Sequence, residues 1–208
     1  MGHKILSGEN WDGGYYEASI LLGKASDQGS DDRLLSALST IWENTSATLY
    51  KSKKLDEFFL VSSIRIEPVG SVFSFYGTLL HETLGVLPIL TCIVREEDGG
   101  NDWLDVAIPL GGIPDTGGWP FGGLEKSMEW RHPIETILAH MVLDVAKTVP
   151  FKMAQIGFEV SGMFDEGDIT GDVPSERPVG YVVPEGDRYR YYETINWNYC
   201  SEVRFTTT

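Results

Sequence analysis

Three strand-like runs follow one another through the middle of the chain, separated only by short polar turns. They are SVFSFYGTLL (71–80), VLPILTCIVRE (86–96) and WLDVAIPLG (103–111), joined by HETLG and EDGGND. Apolar and polar residues alternate in the third run, as in a strand with one buried face. Short turns between such runs are typical of hairpins, so the sequence predicts an antiparallel sheet at the centre of the fold. Pro109 in the third run indicates a strand end or an edge.

Two segments have apolar residues at helical spacing. The first follows Ser30, a candidate N-cap. Asp31 and Asp32 would then lie in its first turn, where the helix dipole stabilises carboxylates. Its apolar stripe comprises Leu34, Leu35, Leu38, Ile41 and Trp42. The second helix is predicted near 132–148, with Pro133 in its first turn. Its buried face comprises Ile134, Ile137, Leu138, Met141, Val142 and Val145.

Four further segments have strand-like composition. YYEASILLG (15–23) precedes the first helix, and FFLVSSIRIEP (58–68) and FKMAQIGFEVSG (151–162) come after the first and second helices. Near the end of the chain, YVVPEGDRYRYYETINW predicts a hairpin that turns at 185–187. Its second strand should place Arg188, Arg190 and Tyr192 on one face and Tyr189 and Tyr191 on the other.

Together these elements predict an α+β protein, with a mixed, largely antiparallel sheet and two main helices on one face. The order strand, helix, strand occurs once in each half of the chain. Two explanations stay open: two β-α-β units related by duplication, or chance recurrence of a common unit. A chain of 208 residues can bury one sizeable core, so a single domain over 1–208 is predicted, with 1–100 and 101–208 as candidate halves.

The net charge of the chain is its most unusual bulk property. It has 31 acidic and 16 basic residues, a formal net charge of −15. Such a surface disfavours nucleic acid and anionic membranes as partners, and it attracts a basic protein. The alternative is that many cytosolic proteins are simply acidic. No apolar run approaches a membrane-spanning helix, and two distant cysteines are not a disulfide framework, so a cytoplasmic location is expected.

The glycine-rich stretch PLGGIPDTGGWPFGGLEKS (109–127) has the glycine spacing of a phosphate loop at Gly117 and Gly122. A phosphate loop requires lysine and a hydroxyl residue after its second glycine, but Gly123 and Leu124 stand there, so nucleotide binding by this motif is excluded. Two interpretations stay open: a binding loop, or a connection whose aromatic side chains fold back onto the core. The candidate binding residues of this loop are Asp115, Trp119 and Phe121.

The segment 161–187 is the most acidic part of the sequence, with seven acidic residues and one basic residue. Its spacing does not match a calcium-binding EF-hand loop, because the glycine and the later ligands are missing. A solvated acidic loop and an irregular cation site both stay open, and no metal or cofactor is predicted. The candidate binding residues here are Asp165, Glu166, Asp168 and Asp172.

No catalytic motif is complete in the sequence. His81 begins an HExxH pattern, but position 85 is glycine, and no GxSxG occurs. The favoured hypothesis is therefore an acidic interaction protein that binds or neutralises a basic protein, as an inhibitor or immunity protein does. The alternative is an enzyme with a site near the 111–123 loop, in which His132 and Glu135 act as acid and base.

Overall fold

The computed structural model describes Trp11 and residues 14–44, 47–113, 131–162 and 173–195. Within these residues the chain forms eight strands and two α-helices. In chain order the elements are β1 (Tyr15–Lys24), α1 (Ser30–Asn44), β2 (Ala47–Tyr50), β3 (Val72–His81), β4 (Gly85–Arg95), β5 (Asn101–Pro109), α2 (Arg131–Thr148), β6 (Met153–Phe158), β7 (Gly180–Glu185) and β8 (Arg188–Tyr192).

All eight strands belong to one sheet, in the order β2-β3-β4-β5-β1-β6-β7-β8. The meander β3-β4-β5 confirms the antiparallel centre that the sequence predicts, and Pro109 is the last residue of β5. Every described strand pair is antiparallel, so the parallel component of the predicted mixed sheet is not found among them. The crossover through α2 joins β5 to β6, but β1 lies between these two strands and separates them.

Both helices pack on the same face of the sheet, which confirms the predicted α+β architecture. Alternate residues of β1, from Tyr16 to Leu22, share one buried cluster with the apolar faces of α1 and α2. Residues on the opposite face, which we call the second face, form a smaller cluster without any helical residue. Leu21, Met153 and Tyr181 belong to this second cluster. The core of the protein therefore lies between one face of the sheet and the helix pair.

The strand predicted at 58–68 is wrong. The chain there forms one isolated bridge, Tyr50 to Phe58, and then a 3-10 turn at Val61–Ser63. Phe58 and Leu60 are each 70% exposed, so the apolar run is not a buried strand. The strand that follows α1 is the four-residue β2, which pairs with β3 and was not predicted.

Ser30 has a different role from the predicted N-cap. The α1 helix begins at Ser30 itself, and the Ser30 hydroxyl donates to the Ala25 carbonyl at 3.0 Å. It also accepts a hydrogen bond from Arg95. The hydroxyl therefore joins the helix to the preceding loop and to β4.

The C-terminal hairpin agrees with the prediction. Strands β7 and β8 meet at Gly186 and Asp187. Tyr189 and Tyr191 face the main core, while Tyr192 packs against the smaller apolar cluster that contains Leu21. The predicted strand at 151–162 is shorter, because β6 ends before Glu159, which has a positive φ of 48°.

The element order β-α-β-β-β occurs in both halves of the described chain. The two halves occupy the sheet differently, since β2 lies at an edge whereas β6, its counterpart in order, lies beside β1. Strand β5 from the second half is inserted between β4 and β1 from the first. Duplication therefore stays a hypothesis.

Candidate functional site

The predicted binding residues of the two loops lie outside the described residues. This applies to Asp115, Trp119 and Phe121 of the glycine-rich stretch and to Asp165, Glu166, Asp168 and Asp172 of the acidic segment. Their binding roles stay predictions. The proposed acid and base, His132 and Glu135, are both described in the first turns of α2.

His132 and Glu135 lie in different environments. The His132 side chain is exposed, whereas Glu135 is 2% exposed and points into the core. The Glu135 carboxylate accepts hydrogen bonds from the Tyr16 hydroxyl at 3.0 Å and from the Tyr191 hydroxyl. The Thr194 backbone N–H and hydroxyl each donate to the same carboxylate at 3.0 Å.

These contacts favour a structural role for Glu135. Burial first, and then the Glu135 charge, raise the pKa of both the Tyr16 and the Tyr191 hydroxyl far above the usual range, so both stay donors. Glycine at position 180 leaves room for the carboxylate, because a Cβ there would lie 2.9 Å from the Glu135 Oε1. Glu135 thus ties α2 to β1 and to the end of β8, and its action with His132 as an acid/base pair stays a prediction.

Three loops meet at one end of the sheet, beyond the last residues of β1 and β4. The β1–α1 loop contacts the β4–β5 turn, since the Ala25 N–H donates to the Gly100 carbonyl at 3.0 Å. The segment before β3 joins the same end, since the Gly70 N–H donates to the Arg95 carbonyl at 2.8 Å. Strand pairing and these two bonds bring together residues that are distant in the sequence, such as Ala25 and Gly100.

Arg95 is the centre of this end, and its side chain is 3% exposed. Its guanidinium donates to Asp102 at 2.9 Å, to Asp31 at 2.7 Å and to the Glu67 carbonyl at 2.8 Å. Burial raises the pKa of the Asp102 carboxyl, and the Arg95 and Arg33 guanidinium groups oppose that rise. One buried cation therefore joins the first turn of α1, the segment before β3 and the start of β5 beside the β4–β5 turn.

The three loops, counted here with the first turn of α1, carry seven exposed carboxylates, which we call the acidic end. Its members are Asp27, Asp31, Asp32, Glu67, Glu96, Glu97 and Asp98. Besides Arg95, the same loops carry Lys24, Arg33 and Arg65, and Arg33 is already paired with Asp27 at 3.2 Å. Arg95 is paired with Asp31 at 2.7 Å, so the acidic end keeps a net negative charge that is smaller than its seven carboxylates alone would give. No site residue predicted from the sequence belongs to it.

A second group of polar residues lies on the second face, in the middle of the sheet. We call it the second-face cluster: Glu17 and Ser19 of β1, Asp105 of β5, Gln155 of β6 and Ser161. The Ser19 hydroxyl donates to Asp105 Oδ1 at 2.6 Å, and the Ser161 N–H donates to Glu17 Oε1 at 2.8 Å. Strand alternation alone would place these side chains in solvent, but all four strand residues are buried.

Burial changes the acidity of both carboxyl groups in the second-face cluster. It raises the pKa of Glu17 to about 7; the Ser161 hydrogen bonds oppose the rise and the Asp105 charge adds to it. Burial also raises the pKa of Asp105, against hydrogen bonds from Ser19 and Ser161. Burial therefore favours the protonated form of both carboxyl groups in the cluster.

Within the described part of the chain, no group of three or more His, Cys, Asp or Glu side chains could hold a metal ion. Neither described helix is long and apolar enough to cross a membrane. No protein-family model, no curated protein and no solved structure matches this chain.

Proposed function

We propose that this chain is an acidic interaction protein that binds a basic protein partner, with the acidic end as its docking surface. The observation that supports this most is the convergence of seven exposed carboxylates from three loops onto one end of the sheet. A partner with a complementary positive patch would be steered to this surface, and its charge would fix the orientation of docking.

The rigidity of the acidic end supports the same function. The Arg95 guanidinium bonds Asp31 of α1, Asp102 of β5 and the Glu67 carbonyl, which adjoin the three loops, so less of this end has to be ordered when a partner binds. A surface that is already ordered loses less conformational entropy on association. The acidic end therefore suits specific docking better than seven charges on independent loops would.

The chain charge of −15 supports a protein partner over a polyanion. Nucleic acid and anionic lipid would both be repelled by the acidic end. A role in neutralising a basic protein, as an inhibitor or immunity protein does, fits this chemistry. We place the protein in the cytoplasm, where Cys92 and Cys200 would stay reduced.

Co-purification from native lysate at low salt tests the proposal, with mass spectrometry of the captured proteins. We expect a protein with a basic surface to be retained at low salt and released as ionic strength rises, because exposed charges are screened by salt. Retention of no basic protein, or retention that salt does not change, would contradict the proposal. Arg95→Met, which frees the three loops, should weaken retention while the strands persist.

A further inference from the structure

Gln155 carries a buried hydrogen-bond donor for which the described residues provide no acceptor. The residue is 3% exposed, and its side-chain Nε2 makes no hydrogen bond within the described chain. Gln155 lies directly opposite Ser19 in the β1–β6 pair, so its side chain is on the second face beside the Ser19 to Asp105 hydrogen bond. A buried amide donor without an acceptor is unfavourable by about 1–3 kcal/mol, so an acceptor supplied from outside would be stabilising.

Among the described residues, no cation is paired with the two carboxyl groups beside Gln155. Glu17 is 7% exposed and Asp105 6% exposed, and among the described residues their hydrogen bonds come from serines. No described basic side chain pairs with either of them. Buried carboxylates are usually paired or neutralised, because an isolated buried charge is strongly unfavourable.

We propose that the second-face cluster is a binding site for a guanidinium or ammonium group that has a carbonyl oxygen beside it. The cation would donate N–H groups to Glu17 and Asp105, and the carbonyl would accept from the Gln155 amide. Arginine and lysine residues, or their free amides, carry both groups. The site is distinct from the acidic end, and either could exist without the other.

Other ligand classes fit the cluster less well. A metal ion would find two carboxylates, and the described chain offers no group of three His, Cys, Asp or Glu side chains around one point. An anion would be repelled by Glu17 and Asp105. A purely apolar ligand would leave the Gln155 donor without an acceptor and the carboxylates without a counter-charge.

The proton competes with this ligand, so binding should depend on pH. The charged groups that raise the pKa of Glu17 are Asp105 from β5 and Glu159 from the turn after β6. Both cluster carboxyls in turn raise the pKa of Cys92 of β4. A carboxyl with a pKa of about 7 is mostly protonated near pH 6 and mostly ionised near pH 8. We expect the ligand to bind about tenfold more weakly near pH 6 than near pH 8.

Arginine amide is the probe for the test, with binding followed by the NMR shift of the Gln155 side-chain amide in the whole chain. The wild type should bind, and Glu17→Gln, which is isosteric and removes a buried charge, should weaken binding about tenfold or more. The matched control Glu43→Gln removes an exposed charge on α1 and should change nothing. No shift of the Gln155 amide at saturation, or equal affinity in Glu17→Gln and wild type, would overturn the proposal.

Butylguanidine, which has no carbonyl, tests the Gln155 contact separately. Gln155→Leu should weaken the binding of arginine amide and leave the binding of butylguanidine unchanged. Equal effects on the binding of both probes would refute the role of Gln155. A peptide with an internal arginine between two alanines identifies the source of the ligand. Tighter binding of that peptide than of arginine amide would assign the site to a protein residue, and the reverse order to a free small molecule.

Discussion

Glu17 is the residue whose protonation should most directly change stability. Its pKa is raised from an ordinary 4.5 to about 7 in the folded chain, so the native state binds this proton more tightly than the unfolded state. Protonated Glu17 therefore contributes about 3 kcal/mol to the free energy of unfolding at low pH. This contribution is lost as pH rises from about 4.5 to about 7. Denaturant unfolding at a series of pH values should show this decline.

Glu17→Gln separates this effect from general repulsion among the surface carboxylates. The variant should be more stable than wild type near pH 8 and nearly equal to it near pH 5, because glutamine does not titrate. Exposed Glu43→Gln serves as the control and should reproduce the wild-type pH profile. A Glu17→Gln profile parallel to wild type would show that Glu17 ionises normally in the folded chain.

Glu135 should matter for folding far more than its helical neighbour His132. Glu135→Ala leaves the buried Tyr16 hydroxyl and the Thr194 donors without their acceptor, and we expect a loss of about 3 kcal/mol or more in the free energy of unfolding. His132→Ala, on the exposed side of the same turn, should stay within about 0.5 kcal/mol. Equal effects of the two substitutions would contradict the structural role of Glu135.

At the scale of elements, Arg95 links β4 to α1 and to the segment before β3. Arg95→Met leaves Asp102, which is fully buried, without its closest cation, so we expect destabilisation of about 3 kcal/mol or more. Hydrogen exchange at the Ala25 amide should accelerate, since its acceptor Gly100 lies in the turn that Arg95 fixes.

Arg65→Met is the matched control for Arg95→Met. The Arg65 side chain is exposed, and its described hydrogen bonds reach only the nearby Ser62 and Ile64 carbonyls. Its removal should change stability by no more than about 0.5 kcal/mol. A similar loss in both variants would mean that total charge, and not the buried network, holds this end together.

The sequence was sufficient for the elements with a clear period. The meander β3-β4-β5, both helices and the C-terminal hairpin follow from apolar spacing and turn residues, because those signals are local. Strand β2 was missed because it has four residues and lies at the sheet edge, where few side chains are buried. The apolar run at 58–68 was mistaken for it, although Phe58 and Leu60 are exposed.

The candidate sites were harder to predict from the sequence. The acidic residues of 27–32 and 96–98 are visible in the sequence, but their meeting depends on the pairing of β1 with β5, where Lys24 lies opposite Asn101. Glu17, Asp105 and Gln155 occupy alternate strand positions that local patterning assigns to solvent. Their burial depends on the packing of the second face, which alternation does not encode.

At the scale of the whole molecule, exposed carboxylates lie both at the acidic end and on other surfaces. The acidic end gathers its carboxylates around the N-terminus of α1 and the β4–β5 turn, while Glu43, Glu82 and Glu176 are exposed away from it. Two triple variants with the same change in net charge can therefore be compared. Asp32→Asn, Glu97→Gln and Asp98→Asn neutralise the acidic end; Glu43→Gln, Glu82→Gln and Glu176→Gln neutralise other surfaces.

The most direct test is the dissociation constant of the complex with the captured basic partner, measured for wild type and for both triple variants. We predict about tenfold weaker binding for the acidic-end variant, with a reduced salt dependence, and a change of no more than about twofold for the other. Equal weakening in the two variants would mean that only net charge matters. That result, or unchanged affinity in the acidic-end variant, would contradict docking at the acidic end.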